Sequence, residues 1–226
     1  MPHSVHFVLS IPPAGVSEHD YSTFYETHLD EILETPGWVA ARRYWLEPAS
    51  TERPRVDYRH LSLYVMDRPS EEPLVELERR MGAGEMTIPD WFGDIRFASW
   101  DGRPLEDPEL DPPDHGYLVL SHAPRRFSTE EFYGWYYAHA RENLTSDGFD
   151  TVWRYALAPG TVDPSLPAAT HAAFYQVHGE LPTLRSALVE SHQAGRVDIP
   201  DWMPEGEFVS WECLSAGPVH GTPVRS

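Results

Sequence analysis

Histidines stand at matched places in the two halves of the sequence, on stretches suited to helices. His139 follows His28 by 111 residues, and each lies on the apolar stripe of a predicted amphipathic helix. An imidazole gains and loses a proton near neutral pH, so these side chains can act as general acids or bases. A buried histidine can also be structural, hydrogen-bonded between a helix and a sheet. Both interpretations stay open at this point.

A second group of polar side chains lies on predicted strands. His60 and Tyr64 fall on one face of a strand, and His171 and Tyr175 repeat them 111 residues later. At the usual rise per residue, the histidine and the tyrosine are about 13 Å apart along the strand. They could therefore line one pocket without touching. The tyrosines could instead be half-buried sheet residues whose hydroxyl groups contact water.

Arg43 and Arg154 form a third matched pair, on the strand that follows each first helix. A guanidinium can hold a carboxylate or an enolate oxygen with two parallel hydrogen bonds. Alternatively, each arginine pairs with a carboxylate of the chain, such as Asp90 or Asp201. Those two aspartates lie in a repeated Ile-Pro-Asp-Trp segment that is typical of a capped turn.

These matched positions belong to a repeat that runs along the chain without a gap. The same shift of 111 residues pairs Ser10 with Ser121, Ser17 with Ser128, Tyr25 with Tyr136, Gly37 with Gly148, Arg43-Tyr44 with Arg154-Tyr155, and Ser99-Trp100 with Ser210-Trp211. So many matches in one register predict two homologous modules.

Each module predicts the same order of elements, β-α-β-β-α-β. Ser17 and Ser128 stand three residues before a carboxylate, as in the capping box that begins a helix. Hydrophobic patterns predict strands at 5–11, 38–46, 58–66 and 95–100, with helices from Ser17 to Pro36 and over 72–81. The second module predicts strands at 117–122, 149–157, 170–177 and 207–212, with helices after Ser128 and over 183–192. This is the order of a ferredoxin-like unit, whose helix-free sheet face needs a cover.

The predicted fold class is therefore α+β, with two ferredoxin-like modules packed sheet to sheet. The first module spans 1–103, an acidic proline-rich linker spans 104–115, and the second module spans 116–214. Residues 215–226 are predicted to form a flexible tail.

Charge and composition exclude several classes of partner. The chain has 17 Lys+Arg against 36 Asp+Glu, a formal charge of -19, which argues against binding nucleic acid or an anionic membrane. A single cysteine, Cys213, rules out an internal disulfide. The sequence shows no leader pattern and no apolar run long enough to span a membrane, so a cytoplasmic protein is expected.

One segment resembles a known family. Phe24-Tyr25-Glu26-Thr27-His28, followed by Pro36-Gly37 and Arg43-Tyr44, is similar to the aromatic-x-x-His, Pro-Gly, Arg-Tyr pattern of the EthD-like branch of the dimeric α+β barrel superfamily. Tyr136-Tyr137-Ala138-His139, Gly148 and Arg154-Tyr155 repeat it. The resemblance implies that the two modules close a barrel within one chain, as a monomer with pseudo-twofold symmetry or a homodimer of such barrels.

The resemblance also implies a range of activities. The superfamily includes cofactor-free polyketide cyclases, muconolactone isomerases, quinone-forming monooxygenases, haem-degrading oxygenases and haem peroxidases. We expect a cofactor-independent enzyme, a cyclase, isomerase, dehydratase or decarboxylase, acting on a small aromatic, polyketide-like or lactone molecule. The predicted proton-transfer residues are His28, His139, His60 and His171. Arg43, Arg154, Tyr64 and Tyr175 are predicted to orient the substrate or stabilise an oxyanion, and Tyr25, Tyr136, Phe24 and Trp135 to wall the pocket.

Two other functions fit the same sequence. In haem-binding relatives the axial histidine comes from the second helix, where the second module has His192 and the first has Met81. One haem per chain is therefore an alternative to having no cofactor. A non-catalytic binding or assembly protein is the other alternative. A metal ion or a nucleotide is not expected, because the His-Glu-x-x-His, Cys-x-x-Cys and glycine-rich phosphate patterns are missing.

Overall fold

Strands and helices alternate in the same order in both halves of the chain. The computed structural model describes residues 4–49, 58–106, 111–166 and 168–221. The first half contains β1 (Ser4–Ile11), α1 (Glu18–Leu33), β2 (Trp38–Pro48), β3 (His60–Met66), α2 (Glu71–Gly82) and β4 (Arg96–Pro104). The second half contains β5 (His115–His122), α3 (Thr129–Asn143), β6 (Phe149–Pro159), β7 (His171–Val177), α4 (Leu181–Gln193) and β8 (Glu207–Ser215), before a short β9 (His220–Gly221).

Eight antiparallel strands close into a barrel. Around the ring the order is β1-β4-β6-β7-β5-β8-β2-β3, and β3 pairs with β1 to complete the circle. The halves meet at two seams, where β4 pairs with β6 and β2 pairs with β8. Closure removes the free edges that each four-stranded sheet would otherwise expose. The predicted α+β class, with two ferredoxin-like units forming one barrel, is confirmed.

The barrel interior is filled with side chains. Alternation along β3 directs Leu61, Leu63 and Val65 inward and Tyr64 towards α1. All eight strands contribute to a single inner cluster, whose large members include Phe7, Tyr44, Trp100, Tyr155, Phe174 and Trp211. An eight-stranded barrel is just wide enough for side chains to fill, and those of the described residues fill this one. We therefore expect a small molecule to bind outside the barrel, between the sheet and the helices.

Both halves begin and end their first helix with the same devices. Ser17 accepts a hydrogen bond from the backbone of Asp20, and Ser128 forms a complete capping box with Glu131. After each helix the chain turns through a glycine with positive φ, 88° at Gly148. A Cβ added at Gly148 would lie 2.7 Å from the His178 carbonyl oxygen. These features define where α1 and α3 begin and where the chain turns after them.

The described parts of the segments that join and follow the two halves, up to residue 106 and from 215 to 221, include strand residues that the sequence does not predict. β4 continues to Pro104 because its last residues pair with β6 of the other half, so the predicted 104–115 linker begins inside a strand. Residues 107–110 of that linker lie outside the described residues. The predicted tail also differs, since the His220–Gly221 strand pairs with Ala40 and Ala41 of β2.

Replacing Gly148 with alanine should destabilise the protein, because alanine is strained at positive φ and its Cβ would contact a backbone oxygen. We expect the free energy of unfolding to fall by about 1–3 kcal/mol in urea denaturation. Gly134→Ala is the matched control. Gly134 lies within α3, where a Cβ meets no atom within 4 Å, and alanine should there raise the free energy of unfolding by about 0.5–1 kcal/mol. Equal effects of both changes would contradict this account.

Candidate functional site

A cavity of about 530 Å³ lies between α1, α2 and the outer face of the first-half sheet. We call it the site cavity. Its polar lining consists of His6, Tyr25, His28, Tyr64, Glu78, Ser99, Asp101 and Thr161, and its apolar lining includes Val8, Ile32, Trp38, Leu74, Leu77, Met81, Phe92 and Phe97. Gly160 and Thr161 come from the second half, so the cavity is complete only in the closed barrel. A mostly apolar cleft with a few polar groups suits a small hydrophobic molecule.

His28 presents a free ring nitrogen beside this cavity. Its imidazole stacks on Phe24, with ring centres 4.8 Å apart. Its Nδ1 atom is buried and has no hydrogen-bond partner among the described residues. Burial lowers the pKa of His28 to about 4, so the ring is neutral at physiological pH. A neutral imidazole with an unused nitrogen is available to a bound molecule.

A histidine that the sequence analysis does not select lies on the other side of the cavity. His6 of β1 faces Asp101 of β4 in the strand register, and its Nδ1 lies 2.7 Å from Asp101 Oδ1. The carboxylate fixes the ring orientation and leaves Nε2 as the nitrogen that can take a proton. Position 117, which matches His6 in the second half, is tyrosine. The repeat therefore gives no signal for His6, and only the β1–β4 register reveals the pair.

Tyrosines complete the polar lining. Tyr64 lies opposite His6 in the register of β1 and β3, with ring centres 6.2 Å apart. Burial raises the pKa of the Tyr64 hydroxyl, which therefore keeps its proton and can donate a hydrogen bond. Tyr25 lines the same cavity from α1. Three residues predicted from the sequence, Tyr25, His28 and Tyr64, thus meet at one site.

Arg43 and His60 lie outside the site cavity, behind Tyr25. Arg43 donates from Nη2 to His60 Nδ1 over 3.2 Å, and its guanidinium lies 4.6 Å from the centre of the Tyr25 ring. Burial, followed by the neighbouring positive charge of Arg43, lowers the pKa of His60 to about 3. His60 Nε2 lies 3.2 Å from the Glu18 carboxylate, but the ring is neutral at physiological pH. The structure thus places this pair next to the pocket wall rather than in the pocket.

The matching residues of the second half are bonded to the protein itself. His139 donates from Nδ1 to the Asp198 carbonyl oxygen over 3.2 Å, and Trp135 stacks on its ring. Tyr175 accepts a hydrogen bond from Asn143 over 3.2 Å. His139 therefore follows the structural interpretation of the repeated helix histidine, while His28 lacks the equivalent partner.

The strand residues of the second half also have internal partners. Arg154 donates from Nε to Glu106 Oε1 over 2.9 Å, so its carboxylate partner is Glu106 and not Asp201. His171 lies 3.1 Å from Ser121 Oγ, and the ring of Tyr136 lies 4.2 Å from the ring of His171.

His192 stands apart from this pattern. Its Nε2 atom is buried and has no hydrogen-bond partner among the described residues. The same holds for five other polar atoms in the second half: Trp135 Nε1, Asn143 Oδ1, Tyr155 Oη, His171 Nε2 and Arg185 Nε. Burial lowers the pKa of His192, so its ring is neutral and able to ligate a metal. His192 matches Met81, which lines the site cavity in the first half.

In the described chain, no three or more His, Cys, Asp or Glu side chains come together in a group that could hold a metal ion. None of its helices is long and apolar enough to cross a membrane.

Comparison with known proteins yields structural likeness alone. Neither a family model nor a curated protein matches the sequence. A candidate chlorite dismutase superposes with a TM-score of 0.55 at 10% identity, covering 95% of each chain. An anthrone oxidase-like protein gives 0.54 at 14% identity, covering 96% of this chain and 94% of that one. A mutant chlorite dismutase from Candidatus Nitrospira defluvii gives 0.50 at 12% identity, covering 92% and 91%.

Identities this low report on architecture only. The likenesses extend over nearly the whole chain in each case, so both halves and their arrangement are shared. The chain has the chlorite dismutase-like, dimeric α+β barrel fold, formed within a single polypeptide.

Proposed function

We propose that the chain is an enzyme that transfers protons, without a cofactor, on a small aromatic, polyketide-like or lactone substrate bound in the site cavity. One observation carries the proposal: His28, with a free buried nitrogen, and the His6–Asp101 pair line the same mostly apolar cavity. Enolisation of a carbonyl compound requires a general base and a neutral group that hydrogen-bonds to the developing oxyanion, and it is favoured by an apolar lining that excludes water.

The roles follow from the environment of each side chain. His6 takes a proton from a carbon next to a carbonyl group, and Asp101 stabilises the imidazolium that forms. The electron pair moves to the carbonyl oxygen, where the Tyr64 hydroxyl and His28 provide hydrogen bonds. Where the enolate is conjugated with a C=C bond, the proton returns from His6 to the far carbon and the double bond shifts, which gives an isomer. If the enolate carbon instead attacks a second carbonyl carbon of the substrate, a C–C bond forms and the alkoxide oxygen takes the proton from His6, which gives a cyclised product.

Residues outside the cavity support its wall. Arg43 stacks on Tyr25 and bonds to His60, so these two act as positioning residues for the ring that faces the substrate. His139, His171, Arg154 and Tyr175 are assigned structural roles in the second half, because each bonds to a neighbouring group of the protein. The proposal therefore gives the proton-transfer reaction to one half of the chain.

His192 favours a second proposal, that the second half binds haem. An imidazole nitrogen that is buried, neutral and unpartnered fits an axial ligand of haem iron. When bound, haem would supply oxidation or peroxide chemistry. The structural likenesses support this proposal better than the first, since two of the three superposed chains are described as chlorite dismutases.

The proton-transfer proposal predicts a loss of turnover when either histidine of the cavity is replaced. A thermal-shift screen of phenolic acids and lactones would identify a substrate. His6→Asn and His28→Gln should then each lower kcat by about 100-fold or more. His139→Gln is the control, because the same residue type in the second half bonds to a backbone carbonyl, and it should keep the kcat of the unmodified protein. Full kcat in both His6→Asn and His28→Gln would refute the assignment.

Burial of His28 also predicts how stability depends on pH. Because the pKa of His28 is lowered from 6.5 to about 4, the unfolded chain binds more protons than the folded one between these values. This contribution is complete above pH 6.5 and is lost as the pH falls towards 4. His28→Gln should therefore lose less free energy of unfolding than the unmodified protein over that range. Parallel curves from urea denaturation at a series of pH values would contradict the burial of a neutral His28.

The haem proposal is tested by adding haemin to the purified protein. We expect a Soret band and its loss in His192→Ala, because that change removes the only proposed axial ligand. His178→Ala, which removes an exposed histidine, should keep the band. A protein that stays colourless would remove the haem proposal and leave the proton-transfer proposal standing.

A further inference from the structure

Arg43 and Arg154 occupy matched positions in the repeat but have different hydrogen-bond partners. Arg154 bonds to the carboxylate of Glu106 and to the backbone oxygen of Tyr133. Arg43 is 5% exposed, and its Nε atom has no hydrogen-bond partner among the described residues. No carboxylate of the described chain lies within ion-pair distance of Arg43. The first half thus has a buried guanidinium without the acid that satisfies its counterpart.

The chain shows where that acid would stand. In the second half, the Leu105 backbone donates to the Arg154 carbonyl over 3.0 Å, and Glu106 follows. In the first half, the Ala216 backbone donates to the Arg43 carbonyl over 2.9 Å, and Gly217 follows. The two segments run past the two arginines in the same way. Gly217 therefore takes the place of Glu106 and supplies no side chain.

A second difference between the halves leaves more open space beside Arg43. In the second half the ring of Tyr137 lies 5.0 Å from the Arg154 guanidinium. The matching position on α1 is Glu26, which instead lines an open cavity of about 390 Å³. We call this the Arg43 cavity. Its other lining residues include Thr27, Asp30, Gly217 and His220, and it shares none with the site cavity.

We propose that the Arg43 cavity binds the carboxylate of a small organic acid, which occupies the space that the Glu106 side chain fills in the other half. A guanidinium holds a carboxylate with two parallel, charge-assisted hydrogen bonds, and Nε is free to make one of them. Burial makes an unpartnered polar group costly, so an incoming carboxylate gains a hydrogen bond that water does not supply there.

The charges of the lining narrow the class of acid. Asp30 is paired with His220 over 2.7 Å, and Glu26 adds a second negative charge to the lining. Two like charges repel a dianion, so phosphate and dicarboxylates are disfavoured. A monocarboxylate with a neutral or positively charged remainder fits. This site is independent of the proton-transfer reaction, because it lies in another cavity.

The test compares benzoate with benzamide, which has almost the same shape without the charge. Isothermal titration should show benzoate binding to the unmodified protein and benzamide binding at least tenfold more weakly. Phthalate, a dianion, should also bind at least tenfold more weakly than benzoate. Equal affinities for benzoate and benzamide, or no binding of benzoate at millimolar concentration, would overturn the proposal.

The Gly217→Glu variant tests whether benzoate binds inside the Arg43 cavity. It copies Glu106 into the first half, and a Cβ at Gly217 meets no atom within 4 Å, so the variant should fold. We expect it to lose benzoate binding at least tenfold and to unfold at a higher temperature, because Arg43 gains a partner. Gly82→Glu adds the same charge on the exposed end of α2 and should bind benzoate normally. Unchanged benzoate binding in Gly217→Glu would refute the site. The His28→Gln variant should bind benzoate normally, because His28 lies in the other cavity. This result separates the test of the Arg43 cavity from the test of the proposed function.

Discussion

Closure of the barrel at its two seams is the constraint on which the other features depend. The pairing of β4 with β6 and of β2 with β8 turns two open sheets into one ring, and the inward side chains then fill its centre. With the interior closed, the site cavity lies between two helices and the outer sheet surface, and the Arg43 cavity lies between α1, Arg43 of β2 and residues 216–220. The seams also bring Gly160 and Thr161 of one half to the rim of a cavity in the other. Separate halves would lack part of either site.

The helix–sheet layers of the two halves have the same design but differ in how their polar groups are satisfied. In the second half, a backbone carbonyl accepts from His139 and Glu106 neutralises Arg154. In the first half, His28 and Arg43 keep buried nitrogen atoms without partners among the described residues. Unpaired polar atoms cost stability, and they persist most readily where a bound molecule can satisfy them. In the first half, His28 lines the site cavity and Arg43 lines the Arg43 cavity, so a bound molecule could satisfy both.

Much of the fold could be predicted from the sequence because each element is specified twice. The repeated serine caps, the turns at Gly37 and Gly148 and the apolar stripes depend only on residues that are close in sequence. They can therefore be recognised before the tertiary contacts are known. Tyr25, His28 and Tyr64 were predicted for the same reason. The His6–Asp101 pair could not be, because it depends on the register between the first and last strands of one half. Nor could the position of Arg43 behind Tyr25, or the extension of β4, which depends on pairing with the other half.

Each buried arginine is covered by the segment that follows the last strand of the other half. Residues 105–106 follow a first-half strand and lie against Arg154, while residues 216–217 follow a second-half strand and lie against Arg43. In a homodimer of one half, the two covering segments would be copies of a single sequence, and any change would appear at both arginines. A single chain encodes them separately. One position could thus hold a permanent acid while the other lost its side chain, so that one polypeptide carries a self-satisfied site and an open one in the same fold.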